Sequence, residues 1–193
     1  MTATEEGTPN ALSSFGYQYF DDPCGDGYRG YYRNANGDGD YLPWDAARDF
    51  CSARDVRTAM DLGCAKGFLV AELMAVGIDV VGLDVSDYAL SFTKGLPCYK
   101  TDLRSGVPRA ADAVFALGVL LYLEEAELAG VLANIHANTE RYFLVSGYYA
   151  GEEQGVPDPL RRITRSRLWW RGQIEDAGFR FSYEGADFDV YTA

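Results

Sequence analysis

The chain has 193 residues, of which 48% are hydrophobic and 24% are charged, as expected for one globular domain. Its formal net charge is −12 at pH 7, whereas nucleic-acid binding needs basic faces, so a nucleic-acid partner is disfavoured. No apolar run approaches the roughly 18–20 residues that cross a bilayer, and residues 1–10 are too polar for a signal peptide. We therefore expect one cytoplasmic domain over residues 1–193, without a membrane partner.

The first 54 residues predict a lid followed by a short helix. Residues 14–42 are crowded with Tyr, Asp and Gly, and Pro43 suits the first turn of a helix that runs to about Ala53. Aromatic faces and carboxylates together suit cations, and a segment closing over a crevice excludes water. The alternative is an exposed segment held by a few aromatic anchors. The lid residues predicted to contact a ligand are Tyr17, Tyr28 and Tyr32.

From residue 55 onward, strand-like apolar runs alternate with helix-like segments, which is typical of a parallel sheet covered on both faces. The predicted strands are Thr58–Leu62, Asp79–Asp84, Cys98–Thr101, Ala113–Leu117 and Tyr142–Ser146. The predicted helices are Gly67–Val76, Asp87–Leu96, Glu124–Ala137 and Arg165–Ala177. Two aromatic-rich runs, 179–183 and 188–192, end the chain and predict a hairpin. The predicted fold class is α/β, a Rossmann-like doubly wound, mostly parallel sheet with a C-terminal antiparallel hairpin.

The strongest local signal is the run AMDLGCAKGFLV over residues 59–70, in which a buried strand ends, turns and enters a helix. Gly63 and Gly67 stand where backbone must approach a ligand or adopt angles that other residues resist. At the carboxyl end of a parallel strand, such a turn builds a ligand crevice. The glycine spacing differs from the G-x-G-x-x-G of pyrophosphate sites. The carboxylate of Asp61 would also repel a pyrophosphate, whereas it suits an ammonium group. NAD therefore fits this turn less well than a ligand with an ammonium group.

Later strands end in further residues suited to a ligand at the same edge. Asp84 closes the second strand 21 residues beyond Gly63 (84 − 63), where a carboxylate can accept hydrogen bonds from ribose hydroxyls. Asp102 closes the third strand, where it can bind an adenine amine while Leu103 covers the ring. The fourth strand ends at Gly118, another place for close backbone approach. Alone, each aspartate is as well explained by capping its turn, so the interpretation depends on the combination.

In this order, the segments resemble the motif set of class I S-adenosylmethionine-dependent methyltransferases. The resemblance covers about residues 56–146, and the terminal hairpin is similar to the family's reversed seventh strand. The segments that carry it are Asp61-x-Gly63-x-x-x-Gly67, Gly82–Ser86, Thr101–Leu103 and Asp112–Leu120. The run Gly63–Val70 also resembles a bacterial subgroup that modifies small molecules or sugars.

The resemblance implies S-adenosylmethionine as the cofactor and assigns its parts to the strand ends. Gly63 and Gly67, following Asp61, would flank the methionine part. Asp84 with Val85 would hold the ribose, and Asp102 with Leu103 would bind adenine. The residues implied beside the sulfonium are Leu117 and Gly118.

The acceptor side is less determined, because methyl transfer depends mainly on alignment and needs a general base only for a protonated or weak nucleophile. Tyr122 is the candidate catalytic residue, since related methyltransferases often place a polar residue, frequently histidine, near this position. Packing under the lid is the alternative for Tyr122. The long segment between Ser146 and Arg165 predicts a second substrate loop. Its expected substrate residues are Tyr148 and Arg161.

The remaining reactive residues do not indicate another site. Cys24, Cys51, Cys64 and Cys98 are widely spaced and lack a nearby histidine, so no zinc site is predicted. His136, the only histidine, is expected near a helix end that points away from the crevice.

The sequence thus predicts a methyltransferase that acts on the O or N of a small molecule, since no added domain is predicted to hold a larger acceptor. Two alternatives stay open at this point. One is a reaction of the same cofactor without methylation, such as cyclisation or aminocarboxypropyl transfer. The other is a non-catalytic cofactor-binding subunit. The oligomeric state is not predicted.

Overall fold

The structure is a computed structural model, and it describes residues 15–22, 44–147, 150 and 158–193. Three of the predicted substrate residues, Tyr28, Tyr32 and Tyr148, lie outside the described residues. Within the described ranges, no helix combines the length and the apolarity that a membrane span requires.

The described residues form strands and helices that alternate along the chain. The strands are β1 (Thr58–Leu62), β2 (Asp79–Asp84), β3 (Cys98–Lys100), β4 (Ala111–Leu117), β5 (Thr139–Ser146), β6 (Arg180–Glu184) and β7 (Asp189–Thr192). The helices are α1 (Tyr17–Phe20), α2 (Trp44–Ala53), α3 (Phe68–Ala75), α4 (Asp87–Leu90), α5 (Glu125–Ala137) and α6 (Arg167–Asp176). Short 3₁₀ turns follow β3 and β4 at Leu103–Ser105 and Leu120–Tyr122.

These strands form one mixed sheet in the order β3-β2-β1-β4-β5-β7-β6. The first five strands pair in parallel, and β7 lies antiparallel to both β5 and β6. This arrangement confirms the predicted mostly parallel sheet with a C-terminal hairpin. The chain winds outward in opposite directions from β1 and β4, so their carboxyl ends flank the switch point at which open α/β sheets bind ligands.

Side-chain alternation along β4 explains why helices cover both faces of the sheet. Val114 and Ala116 belong to a core shared with α5 and α6. Ala113 and Phe115 belong to a second core shared with α2 and α3. All four side chains are fully buried. This is expected for a strand covered on both faces, whose sequence is a nearly continuous apolar run.

One predicted helix is wrong in length: α4 ends at Leu90 rather than at Leu96. Just beyond its end, Ser91 Oγ donates a hydrogen bond to the Tyr88 carbonyl at 2.6 Å, and Thr93 Oγ1 donates to the Leu90 carbonyl at 2.9 Å. Such hydroxyls compete with backbone N–H groups for helical carbonyls. The other predicted helices of the core agree with the structure to within two residues at each end.

Candidate active site

A pocket opens at the carboxyl ends of the central strands, beneath α1. Eight of the residues predicted from sequence line it: Gly63, Asp84, Val85, Asp102, Leu103, Leu117, Gly118 and Tyr122. Four other predicted residues are described but do not line it: Asp61, Gly67, Tyr17 and Arg161. The pocket therefore brings together strand ends that are far apart in the sequence.

The turn after β1 has a left-handed backbone at alternate residues. Gly63, Ala65 and Gly67 have φ angles of +74°, +47° and +76°. A Cβ at Gly63 would lie 2.5 Å from Val119 Cγ2, so any side chain at this position would require Val119 to move. Ala65 takes a conformation that costs an L-residue roughly 1–2 kcal/mol, and such strain is commonly kept at ligand sites. Ala65 also lines the pocket, so the strained residue lies on the pocket side of the turn.

The other two predicted glycines have different surroundings. A Cβ at Gly67 would meet Leu96, Thr93 and Cys98 at 2.9–3.2 Å, so this glycine allows close packing behind the turn. Gly118 has a φ of +69°, and a Cβ there would meet nothing within 4 Å, since the residue faces the pocket. The backbone beside Gly118 is thus open to a ligand.

Asp84 is oriented by the backbone at the centre of the pocket. One carboxylate oxygen accepts a hydrogen bond from the Ala65 N–H and the other from the Ser86 N–H, both at 2.8 Å. Burial raises the pKa of Asp84, and these two donors oppose the rise. Each carboxylate oxygen has two acceptor positions, so both oxygens can still accept a hydrogen bond from a ligand hydroxyl.

Asp61 is a buried carboxylate directly before the turn. Its side chain is 5% exposed. Burial raises its pKa well above the ordinary range, and the nearby Cys98 and Asp84 add to the rise. A cationic ligand group near Asp61 would stabilise the ionised form.

Replacing Asp61 by asparagine is expected to stabilise the ligand-free protein near pH 8 by ~1–3 kcal/mol, because it removes the cost of ionising a carboxyl group whose burial raises its pKa. Because the pKa of Asp61 is higher in the folded protein than in the unfolded chain, the stability of the wild type falls as the pH rises. The fall begins near the pKa of the unfolded chain, about 3.9, and ends above the pKa of the folded protein. Urea unfolding at pH 5 and pH 8 measures this difference. The control is Asp176→Asn, which changes an exposed carboxylate. If Asp61→Asn is no more stable than wild type at pH 8, ionised Asp61 does not destabilise the ligand-free protein.

Asp102 has a strong partner of its own. Its two oxygens accept hydrogen bonds from Arg104 Nε at 2.8 Å and Arg104 Nη2 at 2.7 Å. These bonds lower the pKa of Asp102, so this carboxylate stays ionised. Arg104 also pairs with Glu127 of α5 at 3.2 Å, which fixes this wall of the pocket.

The lid helix α1 is fastened to the turn after β1 and to the loop after β2. Asp21 accepts hydrogen bonds from Lys66 Nζ at 2.6 Å and from the Tyr88 hydroxyl at 2.5 Å. The bond to Asp21 raises the pKa of Tyr88 to about 12. Ser86 Oγ also donates to the Phe15 carbonyl at 2.5 Å. The segment of residues 15–21 is thus tied to the loops after β1 and β2 that line the pocket.

Removing the Asp21 carboxylate is expected to loosen α1. In Asp21→Asn, the buried Lys66 loses its ion-pair partner, and breaking a buried pair costs about 3–5 kcal/mol. Hydrogen exchange at the amides of residues 19–22 should therefore accelerate by at least about 100-fold, since 1.4 kcal/mol corresponds to about tenfold. Asp87→Asn, which removes an exposed pair with Lys100, is the control. Equal exchange in both variants would show that the ion pair does not hold the lid.

Of the three predicted lid residues only Tyr17 is described, and it does not line the pocket. Tyr17 is 53% exposed and contacts Tyr88 on the outer side, with ring centroids 6.0 Å apart. The lining residues of the lid are Phe15, Tyr19 and Phe20. Tyr19 and Phe20 lie in α1, whereas Phe15 precedes it, so helical spacing alone does not predict these three lining residues.

Neither Arg161 nor His136 lines the pocket. Arg162, rather than the neighbouring Arg161, lines the pocket, and it lies 3.5 Å from Glu124. His136 lies in the last turn of α5 and packs edge-on against Phe179, with ring centroids 4.8 Å apart. The histidine is therefore part of the packing between α5 and the hairpin, as its helix position indicated.

Solved structures with the same architecture are S-adenosylmethionine-dependent methyltransferases. Magnesium protoporphyrin IX methyltransferase from Synechocystis, with S-adenosylmethionine bound, is 18% identical over 77% of this chain and 76% of that one, at a TM-score of 0.61. A TehB-like methyltransferase from Corynebacterium glutamicum is 19% identical over 82% and 91%, at 0.62. DesVI from Streptomyces venezuelae is 15% identical over 77% and 89%, at 0.61. Neither a protein-family model nor a curated protein matches the chain.

The chain has the fold of the class I S-adenosylmethionine-dependent methyltransferases. The strand order, the reversed β7 and the likeness to these structures agree on this class. The fold resemblance seen in the sequence is confirmed.

Proposed function

We propose that this chain binds S-adenosylmethionine in the pocket and transfers the methyl group to an oxygen or nitrogen of a small molecule. The main support is Asp84, a half-buried carboxylate that lines the pocket and is held by two backbone donors at the switch point. A carboxylate at the end of β2 suits the two hydroxyls of a ribose. The fold of the similar structures supports the same ligand.

The surrounding residues fit the other parts of this cofactor. Gly118 leaves room beside its strand end, and Asp61, which does not itself line the pocket, directly precedes the turn that does. Leu103 and Leu117 provide apolar surface along the pocket. When bound, the cofactor supplies a methyl group activated by a sulfonium, so the protein's own task is to align the acceptor and exclude water.

Two features support a small acceptor: the aromatic residues of the lid that line the pocket, and the negative net charge of the chain. Phe15, Tyr19 and Phe20 cover the pocket, and a covered pocket suits an acceptor that fits beneath α1. The net charge of −12 disfavours a polyanionic acceptor such as nucleic acid. The name of one similar structure gives a small-molecule acceptor, magnesium protoporphyrin IX.

Incubation of the protein with methyl-labelled S-adenosylmethionine and a panel of small alcohols, phenols and amines tests this function. We expect S-adenosylhomocysteine to form together with a product heavier by about 14 mass units, which is the signature of methyl displacement. A product that gains an aminocarboxypropyl group, or an acceptor that cyclises without gaining mass, would indicate one of the alternative reactions. Binding without any turnover would favour a non-catalytic subunit.

A further inference from the structure

Three polar side chains from distant parts of the chain meet at the lid end of the pocket. The hydroxyl oxygens of Tyr19, in α1, and Tyr122, after β4, lie 2.5 Å apart. Tyr122 donates to Asp158 Oδ2 at 2.6 Å, and the Tyr19 hydroxyl lies 3.1 Å from the same oxygen. Both tyrosines line the pocket and Asp158 does not, so the carboxylate stands behind the phenols.

The distances order these hydrogen bonds into a chain. A length of 2.6 Å is typical of a hydroxyl that donates to an ionised carboxylate, so the Tyr122 proton points to Asp158. Tyr19 then donates to the Tyr122 oxygen over the shorter of its two contacts. Tyr122 is therefore the central member, with the pocket on one side and the carboxylate on the other.

Backbone contacts fix Asp158 relative to Tyr122. Asp158 Oδ1 accepts a hydrogen bond from the Leu160 N–H at 2.9 Å, which orients the carboxylate. The Ile163 N–H bonds the carbonyl of Leu121 at 3.0 Å, and the Ile163 side chain is buried in the core. Leu121 directly precedes Tyr122, so one turn carries the phenol and holds the segment that carries the carboxylate.

We propose that Tyr122 and Asp158 form a proton relay for a hydroxyl acceptor, which makes the reaction an O-methylation. This inference rests on the proposed methyltransferase function. The acceptor hydroxyl gives its proton to the Tyr122 oxygen while the Tyr122 proton passes to Asp158 Oδ2. The acceptor oxygen lone pair forms the C–O bond to the methyl carbon, and the electrons of the broken S–C bond remain on the sulfur. Tyr19 is a positioning residue that holds the Tyr122 oxygen.

The relay distinguishes oxygen acceptors from nitrogen acceptors. A neutral hydroxyl is a weak nucleophile and gains from losing its proton during the attack. A neutral amine already has an available lone pair and loses its proton after the methyl group has moved. A merely structural Tyr122–Asp158 contact would affect both acceptor classes equally.

The test compares Asp158→Asn with wild type on matched probes, phenol against aniline and benzyl alcohol against benzylamine, with methyl-labelled S-adenosylmethionine. Asparagine keeps an oxygen that can accept from Tyr122 but takes no proton. General-base catalysis contributes about 10²–10⁴-fold, so kcat/KM for the hydroxyl probes should fall by about 100-fold or more, while the amine probes change by less than about tenfold. Tyr122→Phe should show the same selectivity. The controls are the exposed Asp176→Asn and Tyr99→Phe, which should match wild type.

Calorimetric titration with S-adenosylmethionine accompanies each variant, and we expect unchanged affinity in Asp158→Asn. The relay is overturned if hydroxyl and amine rates fall together, if the hydroxyl rate does not fall, or if the wild type binds the cofactor but labels no hydroxyl probe. Absence of cofactor binding by the wild type would instead contradict the proposed function, so the two failures are distinguishable.

Discussion

Replacement of Asp84 by alanine is expected to weaken S-adenosylmethionine binding by about 100-fold or more. Each hydrogen bond to a charged group contributes roughly 1.5–3 kcal/mol, and the proposed site uses this carboxylate for two ribose hydroxyls. The substitution also releases the Ala65 and Ser86 N–H groups, which now bond to the carboxylate at 2.8 Å. The turn after β1 would then lose the contact that fixes it against β2.

Isothermal titration calorimetry measures this loss, and two further variants make it specific. Asp84→Asn keeps the shape and one acceptor oxygen, so we expect an affinity between those of wild type and the alanine variant. Asp79→Asn removes a carboxylate from the other end of the same strand, where it forms an exposed pair with Arg109. We expect Asp79→Asn to bind as wild type does; a comparable loss there would mean that general charge, rather than the ribose contact, determines affinity.

Replacement of Gly63 by alanine is expected to lower the free energy of unfolding by ~3 kcal/mol or more. A φ of +74° costs an L-residue roughly 1–2 kcal/mol, and the new Cβ would lie 2.5 Å from Val119 Cγ2. Forcing extra atoms into a packed site typically costs about 1–3 kcal/mol. Because Val119 also lines the pocket, its displacement should reduce cofactor affinity as well.

Gly77→Ala is the matched control for this prediction. Gly77 also has a left-handed φ, +82°, but a Cβ there would meet nothing within 4 Å. The control therefore measures the backbone cost alone, about 1–2 kcal/mol, without contact to the pocket. Urea denaturation of both variants separates the two costs, and equal destabilisation would show that the turn relaxes away from Val119.

The sheet and the residues that line the pocket at the strand ends could be predicted from the sequence, because both depend on local patterns. Apolar runs of strand length predicted the strands, and Asp84 and Gly118 lie at the carboxyl ends of those runs. The length of α4 could not be predicted in the same way, since Ser91 and Thr93 use their hydroxyls to bond helical carbonyls. The packing role of Gly67 also became visible only when its neighbours were placed.

The acceptor side was harder to predict because its contacts join distant parts of the chain. Tyr122 was identified from its position after the fourth strand, but its partners Tyr19 and Asp158 are 103 and 36 residues away. Tyr17 lies on the outer side of α1, because the residues that share one face of a helix depend on the phase of that helix. The ligand contacts of all the predicted site residues stay predictions.

Calorimetric titration of the wild-type protein with S-adenosylmethionine, and separately with NAD, shows which ligand the pocket at the carboxyl ends of β1, β2 and β4 binds. We predict saturable one-to-one binding of S-adenosylmethionine that is much tighter than any binding of NAD and is strongly weakened by Asp84→Ala. Absence of binding, tighter binding of NAD, or full affinity in the alanine variant would contradict the proposed S-adenosylmethionine site.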